Sequence, residues 1–92
     1  MEEVYVSCNT LEEWQAVIRS ASEAGKFFND NETMLKLFYS VGHCVHIHKE
    51  HHLTHASLNF AREQEIRIVS AEKYLGHSVE AGNYSPWIYT GE

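Results

Sequence analysis

The chain opens with a period-two alternation of apolar and polar side chains. The alternation runs through the segment EVYVSC, in which Val4, Val6 and Cys8 lie on one side and Tyr5 and Ser7 on the other. This is the pattern of a strand that buries one face. We therefore predict a first strand close to the N-terminus.

The next segment changes to the period of an amphipathic helix. Thr10 and Glu13 have the spacing of a capping box, in which each side chain accepts a hydrogen bond from a free backbone N–H of the first turn. Gly25 suits a left-handed stop. The pattern predicts one main helix over about 10–24. The apolar residues that share one face of this helix are Leu11, Trp14, Val17, Ile18 and Ala21.

Two further segments favour strands before the histidine-rich region begins. KFF, residues 26–28, is predicted as a short strand, and TMLKLFYS, residues 33–40, is apolar and aromatic enough for another. A turn at Val41 and Gly42 then returns the chain as the strand CVHIHK.

In the strand CVHIHK, alternation divides the side chains between two faces. Cys44, His46 and His48 share one face. Val45 and Ile47 share the other, and we expect this apolar pair to face the core.

The last elements are short. THASLNFAREQ, residues 54–64, favours a helix capped by Thr54, and IRIV, residues 66–69, favours a strand. SAEKYLG reads as one helical turn with Ser70 as its cap and Gly76 as its stop. Strands and helices mix without a regular βαβ alternation, so we predict an α+β fold. A small antiparallel sheet of about four strands packs against one main helix, with one or two short helices.

Length and composition predict one domain followed by a tail. The chain has 92 residues, of which 43% are hydrophobic, enough for a single core over 1–76. The tail, 77–92, contains Tyr84, Trp87 and Tyr89. Aromatic side chains of this kind either pack back onto their own domain or form an oligomer contact. We expect a homo-oligomer, most simply a dimer.

Charge and cysteine content exclude several classes of function. A formal net charge of −6 argues against DNA or RNA as a partner, because nucleic-acid binding depends on basic side chains. Two cysteines do not make a disulfide framework, and no apolar run has the length of a membrane span. The acidic start lacks the basic flank of a signal peptide. We expect a cytoplasmic protein without a membrane partner.

Six of the seven histidines lie in the segment GHCVHIHKEHHLTH, residues 42–55. A metal interpretation starts from His46 and His48, which point the same way and can share one zinc or nickel ion. A third ligand would come from His51, His52 or Cys44. Against this interpretation, the chain has neither C-x-x-C nor H-E-x-x-H. The alternative is a polar strand face that contacts a partner.

The crowded histidines also predict a dependence of stability on pH. Only Glu50 lies inside the cluster, so mutual repulsion should lower the histidine pKa values. We then expect stability to fall as mild acid forces these side chains to become charged.

No complete catalytic constellation is present in the sequence. Two H-x-[ST] motifs start at His52 and His55, but they are only three residues apart and cannot face each other across a cleft. SAEK has the S-x-x-K spacing, which helix capping explains. Cys44 lacks an oriented base and reads as a small buried hydrophobe. We expect a protein without catalytic residues and without an obligatory cofactor.

Four segments together resemble a known class of proteins. CNTLEEWQAV, GKFF, CVHIHKEHHLTH and IRIVSAEKYLG follow each other as in small uncharacterised accessory proteins of tailed bacteriophages, and the resemblance spans about 4–76. Those proteins often carry tryptophan at the position of Phe28, and few are so rich in histidine. The resemblance implies a viral origin, expression in a host bacterial cytoplasm, and a role in host takeover or counter-defence by binding.

Such a role predicts that the chain sequesters a host protein or a small signalling nucleotide. An acidic surface suits a partner with a basic face. A nucleotide would need local positive charge and stacking aromatics. The alternative function is a histidine-rich metal-binding module that uses 43–55, with His46, His48, His51 and His52 as zinc ligands. The side chains predicted to bind the ligand or partner are His46, His48, Lys49, His52, Arg62, Arg67, Tyr39, Trp87 and Tyr89.

Overall fold

Four strands pair into one mixed sheet, and helices lie on both of its faces. The computed structural model describes residues 3–27, 35, 39 and 42–79. Across the sheet the strands follow the order β3-β2-β1-β4. The elements in chain order are β1 Val4–Ser7, α1 Leu11–Glu23, β2 His43–Ile47, β3 Leu53–Ser57, α2 Leu58–Arg62, β4 Arg67–Ser70 and α3 Ala71–Leu75.

The main helix α1 forms as predicted, because its ends are specified locally. The Glu13 N–H donates to Thr10 Oγ1 at 3.1 Å, and the Glu13 carboxylate accepts from the Asn9 N–H at 2.7 Å. At the other end Gly25 has φ +88°, the left-handed conformation that a side chain disfavours. The following Lys26 N–H then donates back to the Ala21 carbonyl oxygen at 2.9 Å, closing the helix with a Schellman motif.

The core lies between α1 and one face of the sheet. Val45 and Ile47 are fully buried there, which confirms the predicted division of β2. On the opposite face Tyr5, Cys44 and Ala61 form a smaller buried cluster beneath α2. The buried residues of the main core are Val6, Cys8, Trp14, Val17, Ile18, Ala21, Val45, Ile47, Leu53 and Ala71.

The α+β class is confirmed, although the sheet is mixed and not purely antiparallel. β1 pairs antiparallel with β2, and β2 pairs antiparallel with β3. β4 runs parallel to β1, so β3 and β4 point in the same direction at opposite edges. The connection between them has to cross the sheet, and α2 lies within this crossover.

Two predicted elements were wrong in type or in extent. LTHAS is strand β3, and the helix begins only at Leu58, where Ser57 Oγ accepts from the Phe60 N–H at 3.1 Å. Pairing with β2 overrides the local capping signal of Thr54. Leu35 is helical, where a strand was predicted, because a short apolar run does not distinguish a buried helix from a strand. The other residues of that segment except Tyr39 lie outside the described part.

The remaining predictions have mixed outcomes. Of KFF, Phe27 forms a single parallel bridge with His52, and Phe28 lies outside the described residues. Ser70 caps α3, and Gly76 ends it with φ +83°, as predicted.

The tail residues from 80 onward, Trp87 and Tyr89 among them, lie outside the described part. Within that part, no helix combines the length and hydropathy that a membrane span requires.

Replacing Thr10 by alanine is expected to destabilise the fold by about 1 kcal/mol, because the first turn of α1 loses its hydroxyl acceptor. Urea denaturation followed by circular dichroism measures this loss. Thr10→Ser, which keeps the hydroxyl, should retain most of the stability. Equal losses in both variants would show that the cap contributes nothing.

Candidate functional site

The sheet separates the histidines into two groups on opposite faces. His43 and His55 lie on the α1 face, where their ring centroids are 5.7 Å apart and the His43 ring is 6.5 Å from that of Trp14. His46 and His48 lie on the other face. The run of histidines in the sequence is therefore not one cluster in space.

Glu3, His46 and His48 form a compact group, which we call the His–Glu site. His46 Nε2 lies 2.6 Å from Glu3 Oε2, and His48 Nδ1 lies 3.7 Å from the same oxygen. One ligand atom from each residue can be chosen so that all three lie within 4.8 Å of one another. Among the described residues, this is the one group of three or more histidine, cysteine or acidic side chains with that geometry.

Strand pairing brings the three residues together. Val4 pairs with Ile47, and Tyr5 pairs with His46. Continuing this antiparallel register by one residue places Glu3 opposite His48. The pairing of β1 with β2 therefore places the Glu3 carboxylate beside both histidines.

Packing holds the site in place from below. The Tyr5 ring is 1% exposed and stacks on His46, with centroids 4.1 Å apart. The rings of His46 and His48 stack in turn at 3.8 Å. The side chains of His46, His48 and Glu3 are 12%, 31% and 26% exposed, so the site is half-buried and still reachable from solvent.

A hydrogen bond from β3 orients His48. Its Nε2 lies 2.9 Å from Thr54 Oγ1. When Nε2–H donates to this hydroxyl, the proton is on Nε2, and the lone pair of Nδ1 points toward Glu3. Metal-binding histidines usually donate their second ring N–H in this way, which fixes both the tautomer and the ring orientation.

The electrostatic environment of His48 disfavours its protonated form. Burial lowers the pKa of His48, and the neighbouring His46 lowers it further, while the Glu3 carboxylate opposes both effects. In the sequence only Glu50 lies inside the histidine cluster, and Glu3 was not predicted to belong to it. The period-two pattern predicts the strand that directly follows Glu3, but no local signal predicts which strand pairs with it.

The other predicted metal ligands lie near the site but outside it. The His52 ring is edge-on to His48, with centroids 6.0 Å apart. His51 is exposed, and its Nδ1 lies 3.4 Å from the Gly25 carbonyl oxygen. Of the four predicted ligands, the structure thus brings His46 and His48 together, with His52 at the margin.

The remaining predicted binding residues are spread over the molecule. Tyr39 packs against Trp14 with centroids 5.7 Å apart, so the sheet separates it from His46. Lys49, Arg62 and Arg67 are exposed on the β2–β3 connection, on α2 and on β4. Tyr39 is therefore not placed to stack on a molecule bound at the His–Glu site.

Both cysteines are free and buried, as expected for Cys44. Burial raises the pKa of the Cys44 and Cys8 thiols, so both stay protonated near neutral pH. A protonated thiol is a poor nucleophile and a poor metal ligand.

Comparison of the chain with protein-family models, with curated proteins and with solved structures found no match. No residue role is therefore transferred from another protein. The phage origin, the cytoplasmic location and the homo-oligomer stay predictions.

Stability is expected to fall as the pH drops below about 7. Burial lowers the pKa of His48 and of His55, and His43 contributes to the effect on His55. As the pH falls through about 6.5, the unfolded chain takes up protons that the folded chain resists. The folded state therefore loses stability until the pH passes below the lowered pKa values.

Urea midpoints between about pH 8 and pH 5, recorded with a chelator present, measure this loss. His55→Gln should show a smaller decrease than the native chain, because one of the two histidines no longer titrates. A midpoint that stays constant or rises toward pH 5 would contradict the expectation.

Proposed function

We propose that the protein is a small metal-binding module that holds one zinc-class divalent ion through Glu3, His46 and His48. The observation that carries this function is the convergence of two imidazole nitrogens and one carboxylate oxygen on a space less than 4.8 Å across. His46 lies in β2, and Glu3 and His48 directly adjoin the paired ends of β1 and β2.

The type of ligand selects the metal. Imidazole nitrogen suits zinc, nickel and copper, whereas magnesium and calcium prefer sites made only of oxygen atoms. A set of two histidines and one carboxylate occurs in zinc sites that keep a fourth position open. The fourth ligand of such an ion is water or a group of a bound molecule.

Small movements bring the three atoms to the required distances. Bonds of about 2.0–2.1 Å in a tetrahedral arrangement separate neighbouring ligand atoms by roughly 3.4 Å. The His46–Glu3 distance of 2.6 Å must lengthen, and the His48–Glu3 distance of 3.7 Å must shorten slightly. Rotations of these partly buried side chains provide changes of this size.

The open fourth position on the metal ion offers a place where a captured molecule could bind. A carboxylate, imidazole or phosphate group of a captured molecule would occupy it as the fourth ligand. Sequestration of a host protein or of a signalling nucleotide still depends on the resemblance to phage accessory proteins and stays a prediction.

Isothermal calorimetry of the metal-free chain with zinc and with nickel tests the proposed function. We expect one ion per chain, with a dissociation constant on the order of 10 µM or tighter near pH 7.5. His77→Gln removes an exposed histidine that lies far from the site in the sequence and should leave binding unchanged. Absence of saturable binding to the native chain would refute the proposed function. Loss of binding in His77→Gln would show that the ion binds outside the His–Glu site.

A further inference from the structure

Lys26 is a buried cation next to the His–Glu site. It follows Gly25 at the end of α1 and is only 5% exposed. Its Nζ donates hydrogen bonds to three successive carbonyl oxygens, those of His48 at 2.7 Å, of Lys49 at 3.0 Å and of Glu50. The ammonium group has three N–H donors, and three of the described carbonyl oxygens lie within hydrogen-bonding distance of it.

The carbonyl groups belong to the connection between β2 and β3. Strand β2 has ended at Ile47, so a local turn must satisfy the polar backbone groups that follow. A buried ammonium is costly unless it is well hydrogen-bonded. The two requirements are met together, because Lys26 supplies the donors and the turn at 48–50 supplies the acceptors.

The first of these carbonyl groups belongs to His48 itself. Holding the His48 carbonyl oxygen restricts the backbone of the residue whose Nδ1 faces Glu3. The backbone of Lys26 is itself fixed, because the Lys26 N–H donates to the Ala21 carbonyl oxygen in the last turn of α1. Lys26 thus connects a rigid helix end to a side chain of the site.

The next residue ties the same turn a second time. The Phe27 N–H donates to the His51 carbonyl oxygen at 2.7 Å, and the Leu53 N–H donates to the Phe27 carbonyl oxygen at 3.1 Å. Lys26 thus bonds the turn at 48–50, and Phe27 bonds the residues that follow it. Among the described side chains, Lys26 is the one that joins three carbonyl groups of the turn.

We propose that Lys26 is a positioning residue for the metal site, which holds the turn at 48–50 so that His48 faces Glu3 and His46. This role rests on the proposed metal function. The positive charge of Lys26 acts in the opposite direction, because it disfavours a nearby cation. Among the groups that shift the pKa of His48, Lys26 has the smallest effect, so this repulsion is weak.

Zinc calorimetry on Lys26→Met tests this role. We expect the affinity to fall by at least about tenfold, the range in which groups that orient a ligand usually act. Lys73→Met, which removes an exposed lysine on α3, is the matched control and should bind as the native chain does. Native affinity in a folded Lys26→Met variant would overturn the role of Lys26. Absence of zinc binding to the native chain would instead refute the metal site itself.

A second measurement on the native chain covers the case in which Lys26→Met does not fold. Hydrogen exchange of the lysine ammonium groups, followed by nitrogen-15 NMR, reports on each Nζ. Coupling between two sites is reciprocal, so zinc should slow the exchange at Lys26 severalfold and leave that at Lys73 unchanged. Equal exchange at Lys26 with and without bound zinc would also overturn the role.

Discussion

Replacing Glu3 by glutamine is expected to weaken zinc binding by on the order of 100-fold, since a ligand should matter at least as much as the groups that orient ligands. This loss corresponds to about 2.8 kcal/mol. Glu3 contributes the only charged oxygen of the His–Glu site, and its Oε2 is the atom that both histidines approach. Glutamine has nearly the same shape, so the change removes the charge and leaves the packing almost unaltered.

The matched control is Glu65→Gln, which changes the same side chain at an exposed position. It should bind zinc as the native chain does, although its net charge changes by the same amount. Titration of both variants by calorimetry separates the effect of losing a ligand from the effect of changing the net charge. Equal affinities in the two variants would show that Glu3 is not a ligand and that any zinc binds elsewhere.

Replacing Trp14 by alanine is expected to cost about 3–5 kcal/mol of the free energy of unfolding. Trp14 is completely buried, and its ring meets Tyr39 edge-on at 5.7 Å. Its removal leaves a cavity between α1 and the sheet that the surrounding side chains only partly fill. A small domain is typically stable by about 5–15 kcal/mol, so a substantial part of its stability would be lost.

Urea denaturation followed by fluorescence and circular dichroism measures this loss. Phe60→Ala is the matched control, because Phe60 is 52% exposed on α2 and its removal should change stability by about 0.5 kcal/mol or less. A loss below about 1 kcal/mol for Trp14→Ala would contradict the position of this ring at the centre of the core.

Helix α1 was predictable from the sequence because the interactions that specify it are local. The Thr10 hydroxyl caps a backbone N–H only three residues away, and Gly25 adopts a conformation that depends on its own lack of a side chain. The alternation in β2 likewise predicts that Val45 and Ile47 face the core, since each strand residue points away from its neighbours. One histidine-bearing face, with His46 and His48, follows from the same rule.

The tertiary structure alone decided which carboxylate those histidines meet. Glu3 and His46 are 43 residues apart in the sequence, and only the register of β1 against β2 brings them within 2.6 Å. The same pairing made LTHAS a strand, where local signals favoured a helix, and placed Thr54 against His48. Strand partners and register depend on long-range contacts between faces that local patterns leave equivalent. Alternation thus determines the histidine face, and the order of the strands determines that it becomes a His–Glu site.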